Sequence, residues 1–262
     1  MADKQGRAGD ALLAQGRTLH RWLSELSAAD FAQPSVLPGW DVRTLVGHLA
    51  LVVGGFDAAL ARPTTARPVP VWELVRRYRR DVAVIESRTR EVTGDTSGAE
   101  LVARFAAGLD ALADTLAGRL PTVIESPRGP ATVLDFTETR VVELTVHSDD
   151  LSRSLSHRPP VPIERAALGS ASRTLTAILA GQSPGRSIEV RIPPYAAVQC
   201  GLPDDPGPTH TRGTPPNVIE TDALTFLRLG TGRTSWADAR AAHLIKASGR
   251  QADLSPVLPL LS

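Results

Sequence analysis

Sulfhydryl chemistry is almost absent from this chain of 262 residues, which has a single cysteine, Cys200. One cysteine excludes an intrachain disulfide framework and agrees with a reducing, cytoplasmic setting. The charges nearly cancel, at a formal net +1, so no global field argues for nucleic acid or an acidic membrane surface as partner. Lysine is nearly missing: Lys4 and Lys246 stand against an Arg majority, which reflects base composition of the source genome rather than chemistry. No stretch approaches the roughly 18 apolar residues of a membrane span. The opening Met-Ala-Asp-Lys-Gln-Gly-Arg lacks the apolar centre of a signal peptide. The expectation is a cytoplasmic protein with a substantial core, in one or two domains.

What the chain does have is helical periodicity interrupted by prolines. Ala8 to about Leu26, Val42 to about Leu60, Val71 to about Val92, Gly98 to Leu120 and Leu134 to Leu155 carry apolar residues at helical spacing. Five helices with short polar breaks predict an antiparallel bundle plus one crossover, with 121–130 an irregular connection. His157-Arg-Pro-Pro-Val-Pro162 reads as a linker. Beyond it the pattern changes. Residues 163–180 are helical, 187–192 alternate as a strand that Pro193-Pro194 stops, and 217–220 and 244–247 are short strand candidates. Residues 222–229 and 235–242 read as short helices opened by capping residues. The predicted organisation is an up-and-down helical bundle over 1–160 and a small α+β domain over 161–262.

Polar residues at inward positions mark the chemistry. Glu143 and His147 stand four apart, one turn along a helix and on one face. Phe136, Asp150 and Ser154 share their stripe; Leu144, Leu151 and Val146 flank it, and Thr145, Ser148, Asp149 and Ser152 read as a solvated back. His48 lies with Leu45, Leu51, Val52 and Phe56 on a helix that Asp41 caps. A buried carboxylate and two buried imidazoles require partners. A divalent ion with N/O ligands and an open position is one solution. The other is a hydrogen-bonded core histidine at 48, with Glu143 paired to Arg140 at i−3. Spacing alone leaves both open, because no dense HExxH-type signature is present.

The surrounding words resemble a known family. Leu37-Pro-Gly-Trp-Asp-Val-Arg-Thr-Leu-Val-Gly-His-Leu49 is similar to the PGW…HL motif of the DinB-like metalloenzymes, and more narrowly to the N-terminal domain of the mycothiol-dependent maleylpyruvate isomerase family. Glu143-Leu-Thr-Val-His147-Ser-Asp-Asp150 matches that family's second metal motif. The resemblance covers roughly the first 155 residues. It implies a DinB-like bundle that binds zinc or a similar ion through His48, Glu143 and His147. It also implies mycothiol, the low-molecular-weight thiol of actinobacteria, as cosubstrate. The second half resembles the bacterial sterol-carrier-like domain in Arg191 to Gly201, His210 to Asp222, Thr225 to Arg233 and Ala247-Ser-Gly-Arg250. That resemblance implies a sheet with helices over an apolar groove.

The implied function is a metal- and mycothiol-dependent isomerase or S-transferase acting on a small electrophile. The alternative is an apolar small-molecule or lipid binding protein with a metal-stabilised bundle. Asp150, one turn past His147, is a candidate acceptor orienting that histidine. Arg212 is a candidate grip for a substrate carboxylate, or a partner for Glu220 or Asp222. Trp40 and His210 are candidate substrate-binding residues, Trp40 having packing as its other reading. Cys200 has no base near it in sequence and reads as inert. Family isomerases use an arginine from a C-terminal domain of another kind, onto which no residue of this chain maps.

Overall fold

A computed structural model describes residues 2–203 and 216–261. Two compact units emerge, neither of which is a continuous stretch of chain. The first comprises Met1–Val69 and Arg79–Ala167; the second comprises Pro70–Tyr78 and Leu168–Ser262. The sequence-based division at 160/161 therefore meets two differences, an excursion at 70–78 and a later crossing at 167/168.

The first unit opens with α1 (Ala2–Leu23) and a short α2 (Ala28–Phe31), whose Ser27 and Asp30 form a reciprocal capping box. Leu37 to Trp40 then make a tight turn: the Trp40 N–H donates to the Leu37 carbonyl, and Gly39 takes the positive φ of 78° that the turn needs. That turn sets up Asp41, which caps α3 (Val42–Gly54) by accepting from the Thr44 N–H at 2.7 Å. α4 (Phe56–Leu60) follows directly. Together, Val42–Leu60 is long and apolar enough to span a membrane, contrary to the impression from apolar runs, but 61% of its window is buried, as in a core helix.

Residues 71–92, predicted as one helix, are two. α5 (Val71–Arg76) belongs to the second unit and α6 (Tyr78–Thr93) runs almost wholly in the first, with the break at Arg77. Packing overrides the continuous periodicity here: Leu74 and Val75 are buried, and the Trp72 ring occupies the space where Gly181 has no side chain. α7 (Gly98–Ala117) starts from a second capping box, Ser97 with Glu100.

The connection read as irregular contains a hairpin. β1 (Val123–Ser126) pairs antiparallel with β2 (Gly129–Thr132), and its buried Ser126 hydroxyl donates to the Gly129 carbonyl at 2.7 Å. Four-residue strands containing Gly129 and Pro130 carry too little alternation to register as strands.

α8 (Val133–Ser154) starts from a Thr132 cap and packs on α1 and α3, while α7 packs on α1 and α3 in turn. The core holds Leu12, Leu19, Leu45, Leu101, Phe105 and Leu144, all essentially inaccessible. Each such side chain stabilises the fold by about 1.5–3 kcal/mol through burial.

One expectation about α8 is corrected. Its supposedly solvated back is buried: Thr145 and Ser148 are 0% exposed and Asp149 3%. The hydroxyls are satisfied within the helix, Thr145 donating to the Val141 carbonyl and Ser148 to that of Leu144. Gln15 of α1 then donates to the Ser148 hydroxyl at 3.0 Å. Small hydroxyl residues that bond back to their own helix can face a core, so polarity did not signal solvent.

The proline-rich segment after α8 is docked rather than loose. The Trp22 indole N–H donates to the Pro159 carbonyl at 2.9 Å, Val161 is buried, and its N–H donates to Ser152. Arg158 and His157 both reach the buried Asp30 carboxylate, at 2.7 and 2.9 Å. The Arg158 bond, ahead of an opposing cost of burial, holds the Asp30 carboxyl well below the ordinary carboxylate range.

In the second unit α9 (Arg165–Gln182), whose first residues still belong to the first unit, precedes a four-stranded mixed sheet of order β4-β3-β5-β6. β3 (Ile188–Ile192) pairs antiparallel with β4 (Ala196–Cys200) and parallel with β5 (Asn217–Thr221), which pairs antiparallel with β6 (Ile245–Ser248). Pro193-Pro194 is thus a turn into a further strand, not the end of the sheet. α10 (Ala223–Gly230) and α11 (Trp236–Ala241) start from Asp222 and Ser235 caps. The architecture is the expected helical region followed by a small mixed-sheet domain.

Candidate metal centre

Three side chains from two helices converge in the first unit. His48 lies in the middle of α3; Glu143 and His147 lie one turn apart on α8. One carboxylate oxygen, Glu143 Oε2, stands 3.2 Å from His147 Nε2 and 3.6 Å from His48 Nε2. The donor atoms of the three residues all lie within 4.8 Å of one another. The imidazoles meet edge to face, with centroids 5.0 Å apart. His48 is 8% and His147 5% exposed. Glu143 therefore pairs with the two histidines, while Arg140 at i−3 contributes charge and sits 5.1 Å from the Phe136 ring centroid.

Each imidazole is held from behind through its other nitrogen. His147 Nδ1 lies 2.9 Å from Asp150 Oδ2, and the Asp150 side chain is 0% exposed, with Arg153 3.9 Å away on its other oxygen. His48 Nδ1 lies 3.5 Å from the hydroxyl of Thr89, a fully buried residue of α6. α6 can come this close because residue 47 is glycine; a Cβ there would stand 2.3 Å from Thr93 Oγ1. Both rings therefore turn Nε2 toward Glu143, Nδ1 being occupied by the Asp150 carboxylate in His147 and by the Thr89 hydroxyl in His48. Thr89 was missed by sequence reading, since a threonine in an amphipathic helix carries no motif.

The electrostatics follow. Burial pushes the His48 imidazole below its ordinary range, only partly offset by Glu143. Burial also disfavours the charged form of His147, but bonds to Asp150 and Glu143 outweigh it and raise that group. Burial alone would raise Glu143; bonds from both histidines and the Arg140 charge prevail and hold it well below the usual carboxylate range.

The donor set fits a divalent cation. Tetrahedral zinc ligands at about 2.1 Å from the ion stand roughly 3.4 Å from each other. The two nitrogen-to-oxygen separations, 3.2 and 3.6 Å, bracket that value.

The remaining sequence candidates divide. Trp40 is brought to the centre, its ring centroid 5.4 Å from that of His48. Cys200 is fully buried at the end of β4. His210 and Arg212 lie outside the described residues.

Fold and cluster together define a helical-bundle protein with a two-histidine, one-carboxylate centre, continued by a small mixed-sheet domain. Residues 12–152 match the mycothiol maleylpyruvate isomerase N-terminal domain, more than half of the chain, and the protein belongs to that family. Residues 164–260 match the bacterial SCP ortholog domain. Two crystal structures of the mycothiol-dependent maleylpyruvate isomerase are similar in fold. The enzyme itself aligns with TM-score 0.59 at 14% identity, and a histidine-to-alanine mutant with TM-score 0.57 at 13%. Each alignment covers 98% of this chain and 96% of the other. That coverage corrects the expectation of a C-terminal domain of another kind: in fold, the second half has its counterpart there. No curated protein matches the sequence significantly.

Proposed function

We propose that the protein is a metal-dependent isomerase or S-transferase that uses mycothiol on a small electrophilic substrate, in a reducing cytoplasm. The observation that carries this reading is the shared Glu143 oxygen between two Nε2 atoms, each imidazole contacted from behind at Nδ1. His48, Glu143 and His147 would hold the ion, zinc by the nature of its donors, and leave a position open. A divalent ion bound there supplies Lewis acidity that makes a thiol ionise near neutral pH.

The chain's own residues do the rest. Asp150 fixes the His147 ring and stabilises positive charge on it. Thr89 does the same for the His48 ring without a charge. Trp40 forms an aromatic wall against His48, and apolar side chains of α3 and α8 pack around the cluster. A thiolate presented there adds to one carbon of an activated C=C bond: the C–S bond forms, the π bond breaks, and its electron pair moves onto the adjoining electron-withdrawing group, leaving a single bond free to rotate. Departure of the thiolate after rotation about that bond gives the cis–trans isomer; its retention with uptake of a proton gives the S-conjugate. The likeness to mycothiol-dependent maleylpyruvate isomerase supports the first outcome. The SCP match over 164–260 supports the second reading, an apolar-ligand carrier.

One experiment separates them. Cobalt-substituted protein titrated with mycothiol should develop a sulfur-to-cobalt charge-transfer band that Glu143→Gln weakens, and His48→Ala and His147→Ala should strip the metal. A cobalt spectrum indifferent to mycothiol, in protein that binds an apolar probe tightly, would favour the carrier.

A further inference from the structure

Two helices that touch at the metal centre part company beyond it. α3 and α6 run antiparallel: Arg43 donates to the carbonyls of Gly94 and Thr96, Gly47 faces Thr93, and His48 meets Thr89. Along this seam both facing surfaces are closed at one end and open at the other. On α6, Thr93 is 3% and Thr89 0% exposed, and Ile85 is half-buried. Val82 stands seven residues before Thr89, within about 20° of it around the helix, yet it is 48% exposed. On α3, Gly47 is buried and Leu51 half-buried, while Gly54, seven residues after Gly47, is exposed and would point a Cβ into open space. Matched gradients on facing helices mean that the two axes splay, with His48 at the vertex of the opening. The splay is braced at its wide end, where Asp81 of α6 lies 3.3 Å from Arg128 in the turn between β1 and β2.

We infer that this opening is a substrate subsite, and that the electrophile carries an extended aliphatic group beyond its reactive carbon. The inference rests on the thiol-isomerase reading of the metal centre and adds a substrate class to it. Leu51 and Gly54 form one wall, Ile85 and Val82 the other, so a chain lying between them withdraws apolar surface from water on both sides. A lone exposed valine needs no explanation, and Val84 on the outer side of α6 is one. Val82 differs because it lies on the stripe that faces the partner helix. From His48 to Gly54 and from Thr89 to Val82 the walls run roughly 10 Å along the helices, the reach of an extended chain of about eight carbons. A polar vertex with aliphatic walls fits a ligand that joins a polar, metal-seeking head to a hydrocarbon tail.

The test uses the full-length protein as purified, its metal content measured, with acetohydroxamate and octanohydroxamate as probes in calorimetric titration. The two share a metal-chelating head and differ only in chain length. Half-burial of each added methylene gives about twofold per carbon, so octanohydroxamate should bind the wild type roughly fiftyfold more tightly. Val82→Asn should cut that advantage roughly threefold to tenfold, and Gly54→Leu, which fills the opening, should cut it further. Acetohydroxamate, confined to the vertex, should bind all the proteins alike. Val84→Asn is the control: its site is 51% exposed on the far side of α6, and it should keep the full advantage. All three sites are exposed helix positions, so each variant should fold. Equal affinity of the wild type for the two hydroxamates overturns the inference, as does an equal loss in Val82→Asn and Val84→Asn. If the protein carries no metal and ignores acetohydroxamate, the isomerase reading fails. Octanamide, a tail without the chelating head, then decides the subsite, which stands if Val82→Asn weakens its binding while Val84→Asn does not, and falls otherwise.

Discussion

Asp150→Ala isolates the carboxylate behind His147 from the ligand atoms themselves. In the wild type this carboxylate, 0% exposed, accepts from His147 Nδ1 at 2.9 Å. Truncation leaves a buried N–H without its acceptor, a cost of about 1–3 kcal/mol. It also frees the ring to turn Nε2 away from Glu143. Loss of such a supporting residue typically weakens metal binding about 10–100-fold, or roughly 1.4–2.7 kcal/mol, so the two figures agree. Asp150→Asn keeps an acceptor oxygen but no charge and should lose nearer tenfold. On the other imidazole, Thr89→Val removes a neutral contact at 3.5 Å, the long limit of a hydrogen bond, and should cost less than about threefold. Competition for zinc against a chelating dye at pH 7.5 measures all three, with circular dichroism to show that the bundle is intact. Wild-type zinc affinity in Asp150→Ala, or a larger loss in Thr89→Val, would refute the argument that a carboxylate sets the ring.

Two further predictions concern stability. Asp30 is held below its ordinary range in the folded state, so its contribution is complete above the unfolded value near 4 and drains away as pH falls from there toward the lower folded value. The stability difference between wild type and Asp30→Asn, about 1–3 kcal/mol at neutral pH, should stay level above about pH 5 and shrink below 4 in urea titrations; a difference that grows on acidification has the wrong sign. Gly181→Ala should destabilise by about 1–3 kcal/mol although alanine is the better helix former by up to about 1, because its Cβ would stand 2.1 Å from the Trp72 ring; stabilisation in a urea melt would mean that the indole gives way freely.

Much of the site was legible because it rests on short-range rules. Asp41, Asp222 and Ser235 start helices by side-chain acceptance, as their places before the periodic segments indicate. The four-residue interval puts Glu143 and His147 on one face wherever that helix packs. Asp150 lies within the same local geometry. Thr89 does not: its role depends on α6 closing on Gly47, a long-range contact with no local signature. The burial of Thr145 and Ser148 was hidden for a related reason, since a hydroxyl bonded to its own helix looks polar in sequence and is nearly neutral in the core. β4 was masked by the two prolines before it, and the hairpin of β1 and β2 by its shortness. The excursion at 70–78 was the least legible, because its apolar spacing continues smoothly across Arg77.

That excursion bears on how the protein is made. The Gln182 side chain donates to the Trp72 carbonyl across 110 positions of sequence. On the ribosome, Trp72, Leu74 and Val75 emerge while α9 and every strand of their sheet are still untranslated. The apolar side of α5 must wait for those partners, exposed or shielded by a chaperone, and the second unit cannot close until the C-terminal half arrives. A gene cut at residue 160 would strand α5 permanently on the wrong piece, so these two halves are not cassettes that a single recombination point could exchange intact.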